Sequence, residues 1–316
     1  MFNQLELTAD DWTREINAAA ARTEPYLRRT PVMEADIGQG PRIALKLEHL
    51  QHTGSFKARG AFNTLLSSDV PKAGVVAASG GNHGAAVAYA AATLGHPAKI
   101  FVPEIAGPAK IALIRDQGAD LEVKPGLYSN ALNAALDHEA RTGAMQIHAY
   151  DAVKTIAGQG SSMAEWEAQG FDADTVLIAV GGGGLIAGAL AWLQDRRKVI
   201  AVEPETSRAL NAALEAGAPV DVDVSGVAAN ALGATSVGQM CFDLARAHLG
   251  GSTLVSDAAI SAAQAFLWRR MRLLVEPAGA TALAALMSGA YVPEPGERVA
   301  VLLCGGNIAP DPIGAS

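Results

Sequence analysis

The chain has 316 residues, half of them hydrophobic and 18% charged, enough to bury a substantial core in one large or two moderate domains. A net charge of −8 argues against nucleic acid and anionic membrane surfaces as partners, and no apolar run approaches the ~18 residues of a membrane helix. Two cysteines, Cys241 and Cys304, are too few for a disulfide framework and imply a reducing compartment; with a polar, acidic start from Met1 to Trp12 and no signal core, a cytoplasmic protein is expected.

Taken in order, Thr8 followed by Asp11 predicts a capped helix running to about Arg22. Residues 42–48 alternate polar and apolar and predict a strand. That strand delivers His52-Thr53-Gly54-Ser55-Phe56-Lys57-Ala58-Arg59-Gly60-Ala61. Ser55 is a suitable N-cap for a helix from Phe56 to about Leu66. Lys57 then falls in the first turn, where the helix dipole and a partly apolar pocket depress an amine's pKa. Such an amine forms Schiff bases with carbonyl compounds; the plainer reading is a solvated lysine on a helix face. Residues 74–78 predict a short buried strand that runs into Ser79-Gly80-Gly81-Asn82-His83-Gly84 and an alanine-rich helix to Leu94. A strand, a glycine-rich turn and a helix N-terminus make an anion site, although an ordinary helix start is spelled the same way. Strands at 98–102, 120–124 and 144–149, with helices at 108–117 and from Ser129 to about Arg141, continue the alternation. That pattern implies a parallel sheet covered on both faces. Gly158-Gln159-Gly160 is expected just ahead of the following helix.

Residues 174–180 read as the clearest buried strand, ending in Gly181, Gly182, Gly183 and Gly184 before a helix over 185–196. Four bare peptide units let several N–H groups converge on one phosphate. The same stretch fits a dinucleotide fingerprint, Gly182-x-Gly184-x-x-Ala187, with Glu203 closing the strand at 198–202 where it could meet a ribose hydroxyl. That keeps open a NAD-dependent oxidoreductase or a non-catalytic nucleotide-binding module. Residues 256–272 predict a capped amphipathic helix whose basic end, Arg269, Arg270 and Arg272, suits a helix C-terminus. Glu276 before Pro277 reads as a helix start. Residues 298–304 form the last predicted strand, ending on Cys304, by itself a small buried hydrophobe.

Ser55-Phe56-Lys57-x-Arg59-Gly60-Ala61 resembles the pyridoxal-phosphate (PLP) lysine motif of the serine/threonine dehydratase family, which also includes serine racemase. The other motifs follow in family order over nearly the whole chain. The resemblance implies a fold-type II α/β enzyme of two domains, each a mostly parallel sheet covered by helices: residues 1–68 with 150–316, and an inserted small domain at 69–149. It implies that Lys57 carries PLP and is the base on the α-proton, that Phe56 packs on the ring, and that Gly181, Gly182, Gly183 and Gly184 hold the phosphate. It assigns the substrate carboxylate to Ser79, Gly80, Gly81, Asn82 and His83, with Ser79 also catalytic and Asn82 reaching the ring hydroxyl. It puts Glu276 near the ring, Ser225-Gly226-Val227 beside the cofactor, and Cys304 opposite the pyridine nitrogen. A thiol holds no charge there, so the ring nitrogen stays neutral and β-elimination is favoured. The expected activity is a catabolic lyase converting L-threonine or L-serine to a 2-oxo acid and ammonia, as a homodimer. A serine racemase shares the cofactor motifs but carries a second serine where this chain has Gly80. A cysteine or threonine synthase fits Arg59-Gly60-Ala61 less well. Glu203 stands where racemase-like members bind a divalent cation, but Ala209 replaces the second carboxylate, so no metal is expected and Glu203 reads as solvated or structural. No regulatory domain is expected after the last strand.

Overall fold

In a computed structural model describing residues 7–38, 42–126 and 128–309, the first helix, α1 (Ala9–Thr23), opens on the predicted capping box. The Thr8 hydroxyl accepts from the Asp11 N–H while the Asp11 carboxylate accepts from the Thr8 N–H. Trp12, Ile16 and Ala19, spaced along one stripe, are buried. The antiparallel pair β1 (Val32–Ala35) and β2 (Ile43–Lys46) follows, and then α2 (Lys57–Leu66), the helix that begins on the candidate lysine.

The next elements are β3 (Val75–Ala78), α3 (Asn82–Leu94), β4 (Ala98–Pro103), α4 (Pro108–Arg115), β5 (Asp120–Lys124), α5 (Tyr128–Thr142) and β6 (Met145–Gln146). Their strands make one parallel four-stranded sheet, in the order β5-β4-β3-β6. The strand expected over 144–149 shortens to β6, because beyond Ile147 the backbone turns into the cavity wall. The chain continues through α6 (Val153–Ala168), β7 (Thr175–Ala179), α7 (Gly184–Leu193), β8 (Lys198–Pro204), α8 (Ala209–Ala216), the short α9 (Ala229–Leu232), α10 (Gln239–His248), β9 (Gly251–Val255), α11 (Asp257–Phe266), α12 (Pro277–Ser288) and β10 (Val299–Leu302). These strands join the first pair in a six-stranded sheet, ordered β1-β2-β10-β7-β8-β9 and parallel except at β1–β2. β3, β7 and β10 are buried at every residue, which explains their unbroken apolar sequences. Among the described residues, no helix is long and apolar enough to cross a membrane.

Close helix packing holds α2 in place. Gly158, Gln159 and Gly160 lie inside α6 rather than ahead of it, because the two glycines serve a helix crossing and not a turn. A Cβ on Gly158 would sit 2.6 Å from the Arg59 carbonyl oxygen, one on Gly160 2.9 Å from the Gly188 carbonyl oxygen, and one on Gly188 2.5 Å from the Gly160 nitrogen. Beside this crossing lies a buried ionic cluster. Arg59 grips Glu48 through two bonds of 2.7 Å and reaches Glu165 at 3.0 Å. Lys46 donates to Glu165 at 2.5 Å, to Gln169 at 2.7 Å and to the Thr30 carbonyl at 3.0 Å. Charges this deep persist only when paired and fully hydrogen-bonded, so the cluster ties β2, α2 and α6 into one unit.

Candidate active site

Lys57 opens α2 on the floor of a cavity of about 320 Å³ that lies between the two sheets. Its Nζ donates to the Ala149 carbonyl at 2.8 Å and stands 5.1 Å from the centre of the Phe56 ring. Burial depresses the amine to about 8, so a reactive neutral fraction exists near neutral pH. The capping expected of Ser55 is not found. Its backbone bridges Gly305, its hydroxyl is buried without a partner, and Phe56, already helical, takes the cap position with no side-chain bond. The Phe56 N–H is held by the Cys304 carbonyl at 3.2 Å, which starts the helix one residue later than the serine needs.

The strand β3 ends on the second motif. Ser79 Oγ accepts the Gly81 N–H at 3.2 Å, shaping a turn from which α3 begins with its first N–H groups unclaimed by the helix. Asn82 is locked from both ends: its Nδ2 donates to Glu276 at 2.5 Å and its Oδ1 accepts from Asn307 at 2.8 Å. Glu276, buried at the start of α12, is raised by burial above the ordinary carboxylate range. The His83 ring is committed to the Ile147 carbonyl at 2.9 Å, and burial holds it neutral at about 3. Its backbone N–H lies in the first turn of α3, where the helix supplies no partner.

Across the cavity, β7 runs into the four glycines and α7. Each would collide with a neighbour if it carried a side chain. Cβ atoms on Gly182 and Gly183 would lie 2.3 Å from the Tyr150 ring and from Cys241 Sγ, and those on Gly181 and Gly184 2.9 Å from Leu232 and Tyr150. Gly183 also has φ of +94°, a conformation glycine adopts freely. The protein packs so closely behind the loop that only bare backbone fits, and a helix N-terminus faces the cavity. Cys304, just beyond β10, lines the same cavity. Its thiol donates to the Ala278 carbonyl at 3.4 Å, and burial drives its pKa far up, so it stays neutral.

The structure thus gathers Phe56, Lys57, Ser79, Gly80, Gly81, Asn82, His83, Gly181, Gly182, Gly183, Gly184, Glu276 and Cys304 around one cavity. One expectation is corrected and another resolved. Ser225-Gly226-Val227 is absent from the lining; it is held to Thr206 and Asp257, and residues 229–235 line the wall instead. Of the two roles expected for Glu203, solvated or structural, it takes the structural one: it is buried, and its two oxygens accept the Leu210 and Asn211 N–H groups at 2.8 Å each. That occupation removes it from any ribose hydroxyl and with it the dinucleotide reading. Burial outweighs those two bonds and raises Glu203 to about 7. Among the described residues no three His, Cys, Asp or Glu side chains cluster as a metal site.

Sequence reasoning missed Tyr150, which carries no motif, and Lys110. Lys110 is 4% exposed and donates to the Asn230 carbonyl at 3.2 Å, linking α4 to the opposite wall. Its signal was available: it lies one helical turn before buried Ile114, a cation on an apolar stripe.

These residues fit a carbonyl cofactor bearing a phosphate. A bare-backbone cradle at a helix N-terminus suits the phosphate, a buried low-pKa amine suits the carbonyl, and a neutral thiol closes the far wall. A family model described as pyridoxal-phosphate dependent enzyme matches residues 23–305. A phenylserine dehydratase from Ralstonia pickettii is 37% identical over 314 residues, covering 97% of this chain and 96% of that protein. Among solved structures, maize serine racemase has a TM-score of 0.89 at 30% identity, covering 94% of this chain and 93% of its own. A threonine deaminase from T.th. has a TM-score of 0.87 at 37% identity, covering 93% of this chain and 97% of its own.

Proposed function

The chain belongs to the family of pyridoxal-phosphate-dependent enzymes, as a lyase of hydroxy amino acids, and from that premise we propose that it dehydrates an L-β-hydroxy amino acid such as L-threonine or L-serine to a 2-oxo acid and ammonia. The carrying observation is that Lys57, the α3 N-terminus, the glycine cradle and Cys304 share one cavity. Lys57 would hold the carbonyl of the cofactor, Gly181, Gly182, Gly183 and Gly184 its phosphate, and Phe56 and Cys304 would flank its ring. When bound, pyridoxal phosphate supplies an electron sink that makes an amino acid's α-proton acidic.

The chain's own residues do the rest. The loop from Ser79 to His83 presents helix N–H groups to the substrate carboxylate and so orients the Cα–H bond. Lys57, with an amine near 8, takes that proton at Nζ. The Cβ–O bond breaks, the hydroxyl leaves with a proton as water, and the released enamine hydrolyses to the 2-oxo acid and ammonia. Cys304 holds no negative charge that would stabilise a protonated ring nitrogen, which favours loss of the β-group over a long-lived carbanion.

We read residues 69–149, which contain the whole four-stranded sheet, as the smaller of two domains, and the active form as a homodimer. Racemisation is the weaker reading, because the racemases that this chain resembles carry a second serine at the position of Gly80, and glycine has no group to move a proton. The test is to incubate the enzyme with L-threonine and L-serine and measure 2-oxo acid beside D-amino acid. Oxo acid in excess supports the proposal; D-amino acid forming faster than oxo acid, or neither forming, refutes it.

A further inference from the structure

The mouth of the cavity is walled by Pro103, Ile105, Ala106 and Tyr128 on the side of the four-stranded sheet. Ile105 is 62% exposed and Tyr128 46%, so two large apolar side chains stand open to water at one rim. Single exposed apolar residues are ordinary, but a pair converging on a binding cavity marks a surface that a ligand covers. This rim adjoins the candidate carboxylate loop. A Cβ on Gly80 would lie 2.5 Å from Ala106 Cβ and 3.3 Å from the Pro103 ring. A substrate anchored at that loop therefore has apolar surface immediately beside it.

Among the described residues, those four that wall the rim carry no charge. The ammonium of Lys110 lies behind Gly81, with its Nζ 3.7 Å from the Cβ position there and already bonded to Asn230. An acidic β-substituent would lose its water at the rim and gain no partner.

We infer that the site selects β-hydroxy amino acids whose β-carbon carries a large apolar group, an aryl ring above all, and that Ile105 and Tyr128 are the specificity-determining residues. This rests on the dehydratase reading and narrows its substrate class. A methyl group, as on threonine, covers little of the rim, whereas a ring removes both its own faces and those two side chains from water. Added apolar contact of this kind is worth roughly 10–200-fold in discrimination per carbon at best, so a preference of at least about tenfold is expected.

The experiment measures kcat/KM of the holoenzyme for L-threo-β-phenylserine, L-threonine and L-threo-3-hydroxyaspartate, and repeats it on Tyr128→Ser and Ile105→Ser. Equilibrium binding of L-phenylalanine and L-alanine, which lack a β-hydroxyl, is followed by the change in cofactor absorbance. The expected result is phenylserine ahead by tenfold or more, L-phenylalanine bound more tightly than L-alanine, and both preferences reduced several-fold in either variant. Threonine or hydroxyaspartate turned over as well as phenylserine, or preferences unmoved by both substitutions, would overturn this inference alone. If no substrate yields oxo acid while the cofactor band is intact, the dehydratase reading falls and this inference with it.

Discussion

Gly80 is the residue at which the proposed preference for elimination over racemisation can be tested most directly. A serine there would put its Cβ 2.5 Å from that of Ala106, closer than packed carbons approach, so Gly80→Ser alone should lower activity by disturbing the loop. With Ala106→Gly beside it the serine fits, and the ratio of D-serine to pyruvate formed from L-serine should rise several-fold, read by chiral chromatography; an unchanged ratio in the double variant would remove the opposite-face argument. Lys57 gives a second test. Its amine is lowered from 10.5 to about 8 in the fold, and only the neutral form attacks a carbonyl. The rate at which cofactor-free protein takes up pyridoxal phosphate should climb with pH to about 8 and then level off; a climb continuing towards 10 would mean an unperturbed lysine. Lys57→Ala should abolish both this uptake signature and turnover, by more than about 10³-fold. The candidate residues were legible because each sits in a short contiguous motif. Tyr150 and Ile105 were not, since their roles come from what the fold sets opposite them.

At the level of elements, the crossing of α2 with α6 decides where Lys57 sits. Alanine is a better helix former than glycine by about 0.5–1 kcal/mol, so Gly158→Ala would stabilise an isolated helix. In the protein the new methyl meets the Arg59 carbonyl at 2.6 Å, and backbone yields less readily than a side-chain tip, at a cost of roughly 1–3 kcal/mol. The clash should win: a net loss of about 1–2 kcal/mol in urea denaturation, with a fall in kcat as α2 shifts; a stabilised, fully active variant would show the crossing to be loose. Periodicity and caps revealed most helices and strands, α1 and β7 to within about two residues. They failed at 158–160, where glycines that look like a turn are a packing face, and at Ser55, whose capping ability is overridden by the bridge to Gly305. Helix crossings and bridges between distant segments leave no mark in local sequence.

Over the whole molecule, the cavity draws one wall from each sheet, so a ligand filling it joins two separately built cores. Pyridoxal phosphate should therefore raise the unfolding midpoint of the cofactor-free protein in a concentration-dependent way, by about 2.7 kcal/mol at a hundredfold excess over Kd; a midpoint indifferent to it would place the cofactor elsewhere. Chelation is expected to leave activity intact, because Glu203 serves α8 and Ala209 offers no second carboxylate; activity lost to EDTA and restored by magnesium would contradict this. The strand order has a further consequence, for synthesis on the ribosome. β10, last of the strands to be made, lies between β2 and β7. The four-stranded sheet can close once residue 146 has emerged, but β2 and β7 face a gap until residues 299–302 appear. At ~5–20 residues per second, the nascent chain carries two unpaired strand edges for roughly 6–25 seconds after β7 emerges. During that interval those edges are open to pairing with other chains, so the fold is most exposed to aggregation before its last strand is made.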